Sequence, residues 1–80
     1  MEQHENVSVM KIRDIVKKHE NYPRVALDED TVIRYRGQYE LGEHLPPLIV
    51  QKESCILIDG FHRLEALKRL GFKDAARALL

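Results

Sequence analysis

The chain has 80 residues, 44% of them hydrophobic and 32% charged, with 13 Lys+Arg balanced by 13 Asp+Glu. That length holds one domain, which buries only roughly 60% of the surface its unfolded chain exposes. No apolar run approaches the ~20 residues of a membrane helix. A single cysteine excludes an internal disulfide framework and a Cys-rich zinc site, and zero formal net charge argues against a bulk electrostatic footprint on nucleic acid.

Residues 1–6 are polar and acidic, which suits a disordered N-terminus and no secretory signal. Together with the cysteine usage, this points to the cytoplasm. Residues 7–12 alternate apolar and polar side chains imperfectly and read as a strand or extended segment. Residues 13–20 fit a short helical turn or a loop. Asn21-Tyr22-Pro23-Arg24 is expected to be extended, because Pro23 disfavours helix at Tyr22. Asp28 then opens a helix: its carboxylate can cap free amides, and Glu29 and Asp30 suit the positive helix start. Val32, Tyr35 and Tyr39 form one apolar stripe along it, and Gly42 supplies a stop.

His44-Leu45-Pro46-Pro47 is a stiff connector. Leu48-Ile49-Val50-Gln51 and Cys55-Ile56-Leu57-Ile58 are two short strand-forming runs joined by a turn at Lys52-Glu53-Ser54, which predicts a hairpin. The second run is almost wholly apolar, as expected for a strand covered on both faces, with Cys55 buried inside it and inert. Asp59-Gly60 ends that strand and opens a second helix. Phe61, Leu64, Ala66, Leu67 and Leu70 face its core, Gly71 caps its end and Phe72 covers the cap. Residues 74–80 fit either a returning strand or, by alanine content, a helix.

The charge is uneven. Residues 61–80 carry five bases, Arg63, Lys68, Arg69, Lys73 and Arg77, against two acids, Glu65 and Asp74. A local anion site fits this distribution better than a long DNA-binding surface; solvated charges on a helix are the plain alternative. The segment able to carry chemistry runs from Ile56 to Ala66: an apolar strand, a glycine turn and a helix start. The first amides of a helix lack intrahelical acceptors, and the helix dipole adds positive charge there. Gly60 is expected to let an anion approach the backbone. Arg63 offers forked donors suited to phosphate, and His62 a further donor. Together these make a phosphate-binding arrangement. The purely structural alternative has Asp59 capping the helix, Gly60 easing the turn, His62 bonded to a neighbour and Arg63 solvated. His44, Cys55, Asp59 and His62 match no zinc spacing, so no metal site is assigned.

Asp59-Gly60-Phe61-His62-Arg63-Leu64-Glu65-Ala66 resembles the D-G-x-H-R-x-x-A signature of the ParB/sulfiredoxin superfamily. Asn21-Tyr22-Pro23-Arg24 is similar to its N-x-P-R element, and Pro46-Pro47-Leu48-Ile49-Val50 to its P-P-[IL]-x-V strand. The resemblance covers residues 7–80. It implies a small α/β (α+β) fold, a mixed sheet with flanking helices, and nucleotide phosphate at Gly60, Phe61, His62 and Arg63, with Arg24 as a second cation. It further implies a single ParB-like domain over residues 1–80, the N-terminal module of a DNA-associated, chromosome-partition or regulatory protein. The nucleotide would be CTP or ATP/ADP, with Mg2+. DNA would be bound through regions outside this chain, a homodimer is compatible, and no membrane is involved.

The branches of the superfamily differ in their signatures. The partition proteins have a motif closer to G-E-R-R-x-R-A, matched by Gly60, Arg63 and Ala66 but not by Phe61, His62 and Glu65. Sulfiredoxins place a nucleophilic cysteine directly before the histidine, where this chain has Phe61, so thiol chemistry of that type is not expected. Small serine kinases of this fold share D-G-x-H-R. In that reading Asp59 and His62 are catalytic and Asp28, Glu29 or Glu43 supplies a carboxylate base. A non-catalytic protein-interaction domain is the third reading.

Overall fold

The computed structural model describes residues 7–18 and 27–80. The N-x-P-R-like segment, Arg24 included, and residues 1–6 lie outside the described residues. The chain forms β1 (Val7–Lys11), a 3-10 turn (Ile12–Asp14), α1 (Glu29–Glu40), β2 (Leu48–Val50), β3 (Leu57–Asp59), α2 (Phe61–Arg69) and β4 (Asp74–Leu79). The four strands make one mixed sheet in the order β1-β4-β2-β3. β4 runs antiparallel to β1 and parallel to β2, and β2 pairs antiparallel with β3. This is the small α+β fold with a mixed sheet that the resemblance implies.

The alternatives left open at residues 74–80 resolve as a strand, and a central one. β4 bonds to β1 through the Val7↔Ala78 to Lys11↔Asp74 register and to β2 through Leu48↔Arg77 to Val50↔Leu79. Pairing along both edges overrides the helical preference of Ala75, Ala76 and Ala78, since strand preference is set largely by neighbours. β3, by contrast, is not fully covered. It lies at the end of the sheet order, and among the described residues its outer side meets only an isolated parallel bridge, Val16↔Ile56. Leu57 is buried while Ile58 is half-buried.

Cys55 also departs from expectation. It precedes β3, in the hairpin turn, with a left-handed φ of 63°, and it is half-buried. Its N–H donates to the Gln51 carbonyl at 3.0 Å and its carbonyl accepts from Val16 at 2.9 Å. A short hairpin closed by these bonds leaves the thiol at the turn and not in the strand core.

Both helices start and stop where their sequences dictate. Asp28 caps α1, its carboxylate accepting from the Thr31 amide at 3.2 Å and from the Thr31 hydroxyl. At the other end Gly42 donates to Tyr39 and Glu43 to Gln38. At the end of α2, Gly71 donates to Lys68 and Phe72 to Leu67. In each case a glycine with positive φ, 79° and 83° respectively, satisfies the last carbonyls in the Schellman arrangement.

The core lies between sheet and helices. Leu48, Val50, Leu57, Leu64, Leu67 and Ala75 form one buried cluster, against which Met10, Ile12, Ile15, Tyr39, Phe61 and Leu79 pack. Burying a side chain such as Leu48 or Leu57 contributes about 1.5–3 kcal/mol. The predicted α2 face holds, except that Phe61 and Leu70 are only half-buried, Phe61 still packing against the cluster. Tyr35 and Tyr39 are half-buried on α1, as their helical spacing suggests.

Candidate functional site

Asp59 is the last residue of β3 and Phe61 the first of α2, so the motif Asp59-Gly60-Phe61-His62-Arg63 is a strand end, a one-residue turn and a helix start. Gly60 is the N-cap residue, with φ 102° and ψ 25° and no capping side chain. Asp59 therefore does not cap the helix. A backbone at that φ disfavours any residue with a Cβ.

Space gives a second reason for the glycine, and it differs from the expected one. A Cβ built on Gly60 would lie 2.7 Å from Leu48 Cδ2 and 3.3 Å from Arg63 Nη2. Gly60 is buried. Its missing side chain makes room for the core leucine of β2 and for the arginine, not for an incoming anion.

Arg63 is likewise not a solvated cation. It is 9% exposed, and its Nη1 donates to the carbonyls of Pro46, at 2.5 Å, and Pro47, at 3.0 Å. Its Nη2 stands 3.7 Å from Asp59 Oδ2. The D-G-x-H-R motif thus grips the Pro-Pro connector. Proline carbonyls at the start of a strand lack some ladder partners, and a buried guanidinium with several donors satisfies them at once.

His62 ties the two helix starts together. Its Nε2 accepts the backbone N–H of Asp28 at 3.0 Å. The acceptor role leaves Nε2 without a proton in this arrangement. The start of α1 therefore sits beside the start of α2, and two positive helix ends converge around an imidazole. The Asp28 carboxyl is held below its ordinary value, first by the hydrogen bond from the Thr31 side chain, then by the Thr31 amide and the nearby charge of Arg34.

The proposed base residues are placed differently from one another. Asp28 caps α1. Glu29 pairs with Arg69, which also binds Glu65 at 3.1 Å, and the Arg69 hydrogen bond lowers the Glu29 carboxyl. Glu43 is exposed just past the α1 stop. Asp59 remains open, with a side chain 72% exposed at the rim of the helix start. The structure thus brings Asp28, Asp59, Gly60, His62 and Arg63 to one place.

Sequence reasoning missed the Arg63 contacts with Pro46 and Pro47. The signal was present as two motifs sixteen residues apart, each resembling part of one superfamily pattern. Only the hairpin between them shows that the motifs meet.

No family model matches the chain, and no curated protein matches it in sequence. Solved structures do match. A Pnob8-like ParB-N domain is 25% identical with a TM-score of 0.77, over 91% of this chain and 28% of its own. Sulfiredoxin from Arabidopsis thaliana has a TM-score of 0.79 at 16% identity, over 92% of this chain and 83% of that one. The C-terminally truncated chromosome-partitioning protein ParB from Caulobacter crescentus, complexed with CTP-γ-S, has a TM-score of 0.72 at 19% identity, over 92% and 43%. The chain spans little more than a quarter of the length of the ParB-N-domain protein.

These likenesses define the class of fold: a small mixed sheet with two helices. The fold is ParB/sulfiredoxin-like. Among the described residues no helix is long and apolar enough to cross a membrane.

Proposed function

We propose that this chain is a ParB-like nucleotide-phosphate-binding domain of a DNA-associated or chromosome-partition protein of the cytoplasm, its ligand CTP or ATP/ADP. The reading rests on one observation: β3, Gly60 and α2 form a strand–glycine–helix start at which a second helix start converges through the Asp28–His62 bond. The CTP-γ-S complex of a protein with the same fold supports it.

Phosphate would sit at the start of α2, at Gly60, Phe61 and His62. Arg63 contributes positive potential from beneath while its Nη1 holds Pro46 and Pro47. Arg24 is the second proposed cation. Asp59, exposed at the rim, fits one carboxylate ligand of a Mg2+ otherwise held by phosphate oxygens and water, the usual habit of that ion. If phosphoryl transfer occurs here, Asp59 and His62 are the residues beside the reacting group. DNA and any partner copy would be engaged through surfaces or segments beyond this site.

Titration of the ¹⁵N-labelled domain with CTP, ATP, ADP or inorganic phosphate tests the reading. The amides of residues 60–63 should move first and saturate. Unmoved amides there at millimolar ligand would refute it. A specific observation favours a second reading, a protein-interaction domain whose motif is architectural. Gly60, His62 and Arg63 all already serve contacts inside the domain. That reading expects no nucleotide-dependent shift anywhere in residues 59–63.

A further inference from the structure

The far end of α2 holds a second feature. Lys11, Ile12, Arg13, Lys68, Phe72 and Lys73 line a cavity of about 380 Å3. Its walls are the end of β1, the 3-10 turn and the loop after α2, joined by the Ile12 N–H donating to the Lys73 carbonyl at 2.8 Å. Four of its six lining side chains are cationic and none is acidic. Asp14 and Asp74 do not line it, although Asp74 is the cross-strand partner of Lys11. Among the described residues, Lys11, Arg13 and Lys73 make no salt bridge. Lys68, the fourth cation, is engaged within the domain. Phe72 is 49% exposed, though it also packs its ring 6.4 Å from that of Tyr39.

Like charges gathered around one cavity create a local positive potential that attracts an anion. The size is that of a small-molecule site, within the usual ~300–1,000 Å3, and not of a long nucleic-acid track. The aromatic ring and Ile12 supply an apolar wall beside the charges. Flat rings stack on such a wall, and cations bind phosphate groups.

We propose that this cavity binds a compact organic polyphosphate carrying a planar ring, of the nucleoside di- or triphosphate class. Its phosphates contact Lys11, Arg13 and Lys73, and its ring lies against Phe72. The site stands on the opposite end of α2 from Gly60 and does not depend on the reading given above. A nine-residue helix separates them, a distance of roughly 13 Å at 1.5 Å per residue.

Amide titrations at near-physiological salt test it with four probes: ATP, tripolyphosphate, adenosine and a single-stranded oligonucleotide. ATP should saturate shifts at residues 11–13 and 72–73. Tripolyphosphate should bind the same amides more weakly, and adenosine should not bind at millimolar concentration. The double substitution Lys11→Gln, Lys73→Gln should weaken ATP by about tenfold or more, the scale of lost charged hydrogen bonds. Phe72→Leu should weaken ATP and leave tripolyphosphate unchanged. Both variants should leave any response at residues 60–63 intact, so the two sites fail separately. Four results would overturn the proposal: no shift at residues 11–13 and 72–73, equal affinity for ATP and tripolyphosphate, insensitivity to the double substitution, or tighter binding of the oligonucleotide than of ATP.

Discussion

The two ends of α2 are built on opposite principles. At its start, polar groups are turned inward on other parts of the domain: Arg63 on the Pro46 and Pro47 carbonyls, His62 on the Asp28 amide, Gly60 against Leu48. At its end, Lys11, Arg13 and Lys73 surround open space beside an exposed Phe72. The start carries the recognisable motif and the end carries none. A motif can therefore mark the residues that assemble a site as well as those that touch a ligand. A site with no sequence signature can arise where separate elements bring like charges together.

The sharpest way to break this contrast is through its two glycines. Gly60 and Gly71 both have positive φ, but a Cβ on Gly60 meets Leu48 and Arg63, whereas one on Gly71 meets nothing within 4 Å. Gly60→Ala should cost roughly 2–4 kcal/mol, from backbone strain plus overpacking, and Gly71→Ala about 1 kcal/mol from strain alone. Urea denaturation of the two variants measures both. Equal losses would mean that the start of α2 is no more tightly built than its end.

Next come the cations. Arg63→Ala removes charged hydrogen bonds from two carbonyls and should cost about 2 kcal/mol. Lys73→Ala, at the open cavity, should change stability by less than about 0.5 kcal/mol. Thermal melts of the pair decide it, and a harmless Arg63→Ala would return that residue to a ligand-facing role.

A smaller effect concerns pH. The folded Asp28 carboxyl lies below its ordinary value, first because of its bond with the Thr31 side chain. Its contribution is therefore fully present above the unfolded-state value and is lost as pH falls through the lower folded value. Asp28→Asn keeps the cap but removes the titration, since Asn caps as well as Asp. The acid limb of stability against pH should become shallower. An unchanged limb would show that Asp28 does not couple folding to pH.

The smallest effect is expected at Arg69, whose contacts with Glu29 and Glu65 are partly or largely exposed. Arg69→Gln should lower the melting temperature slightly at low salt. At about 1 M salt, where the Debye length is ~3 Å, the difference should vanish. Persistence at high salt would show that the network packs and does not merely attract.

Much of this architecture was legible in order along the chain. Asp28 as a cap, Gly42 and Gly71 as stops, the hairpin around Lys52-Glu53-Ser54 and the core face of α2 follow from local rules of capping, turns and periodicity. Such rules involve residues close in sequence, so one sequence suffices to apply them. Residues 74–80 were ambiguous because alanine fits helix and strand alike; two neighbouring strands made the choice. Cys55 was misplaced because an apolar run does not reveal where its turn ends, and the positive φ at Glu53 and Cys55 carries the turn further than composition suggests.

The candidate site divides in the same way. Turn chemistry and periodicity along the chain suffice to show that a glycine turn joins an apolar strand to a helix bearing His62 and Arg63. Where those side chains point depends on contacts between segments far apart in sequence. Arg63 turns inward because the chain delivers the Pro46 and Pro47 carbonyls beneath it, and a buried carbonyl is satisfied by whichever donor folding brings near. The basic cavity at the far end belongs wholly to the tertiary level. Lys11 and Arg13 are some sixty residues from Lys73, and only the pairing of β1 with β4 brings them together.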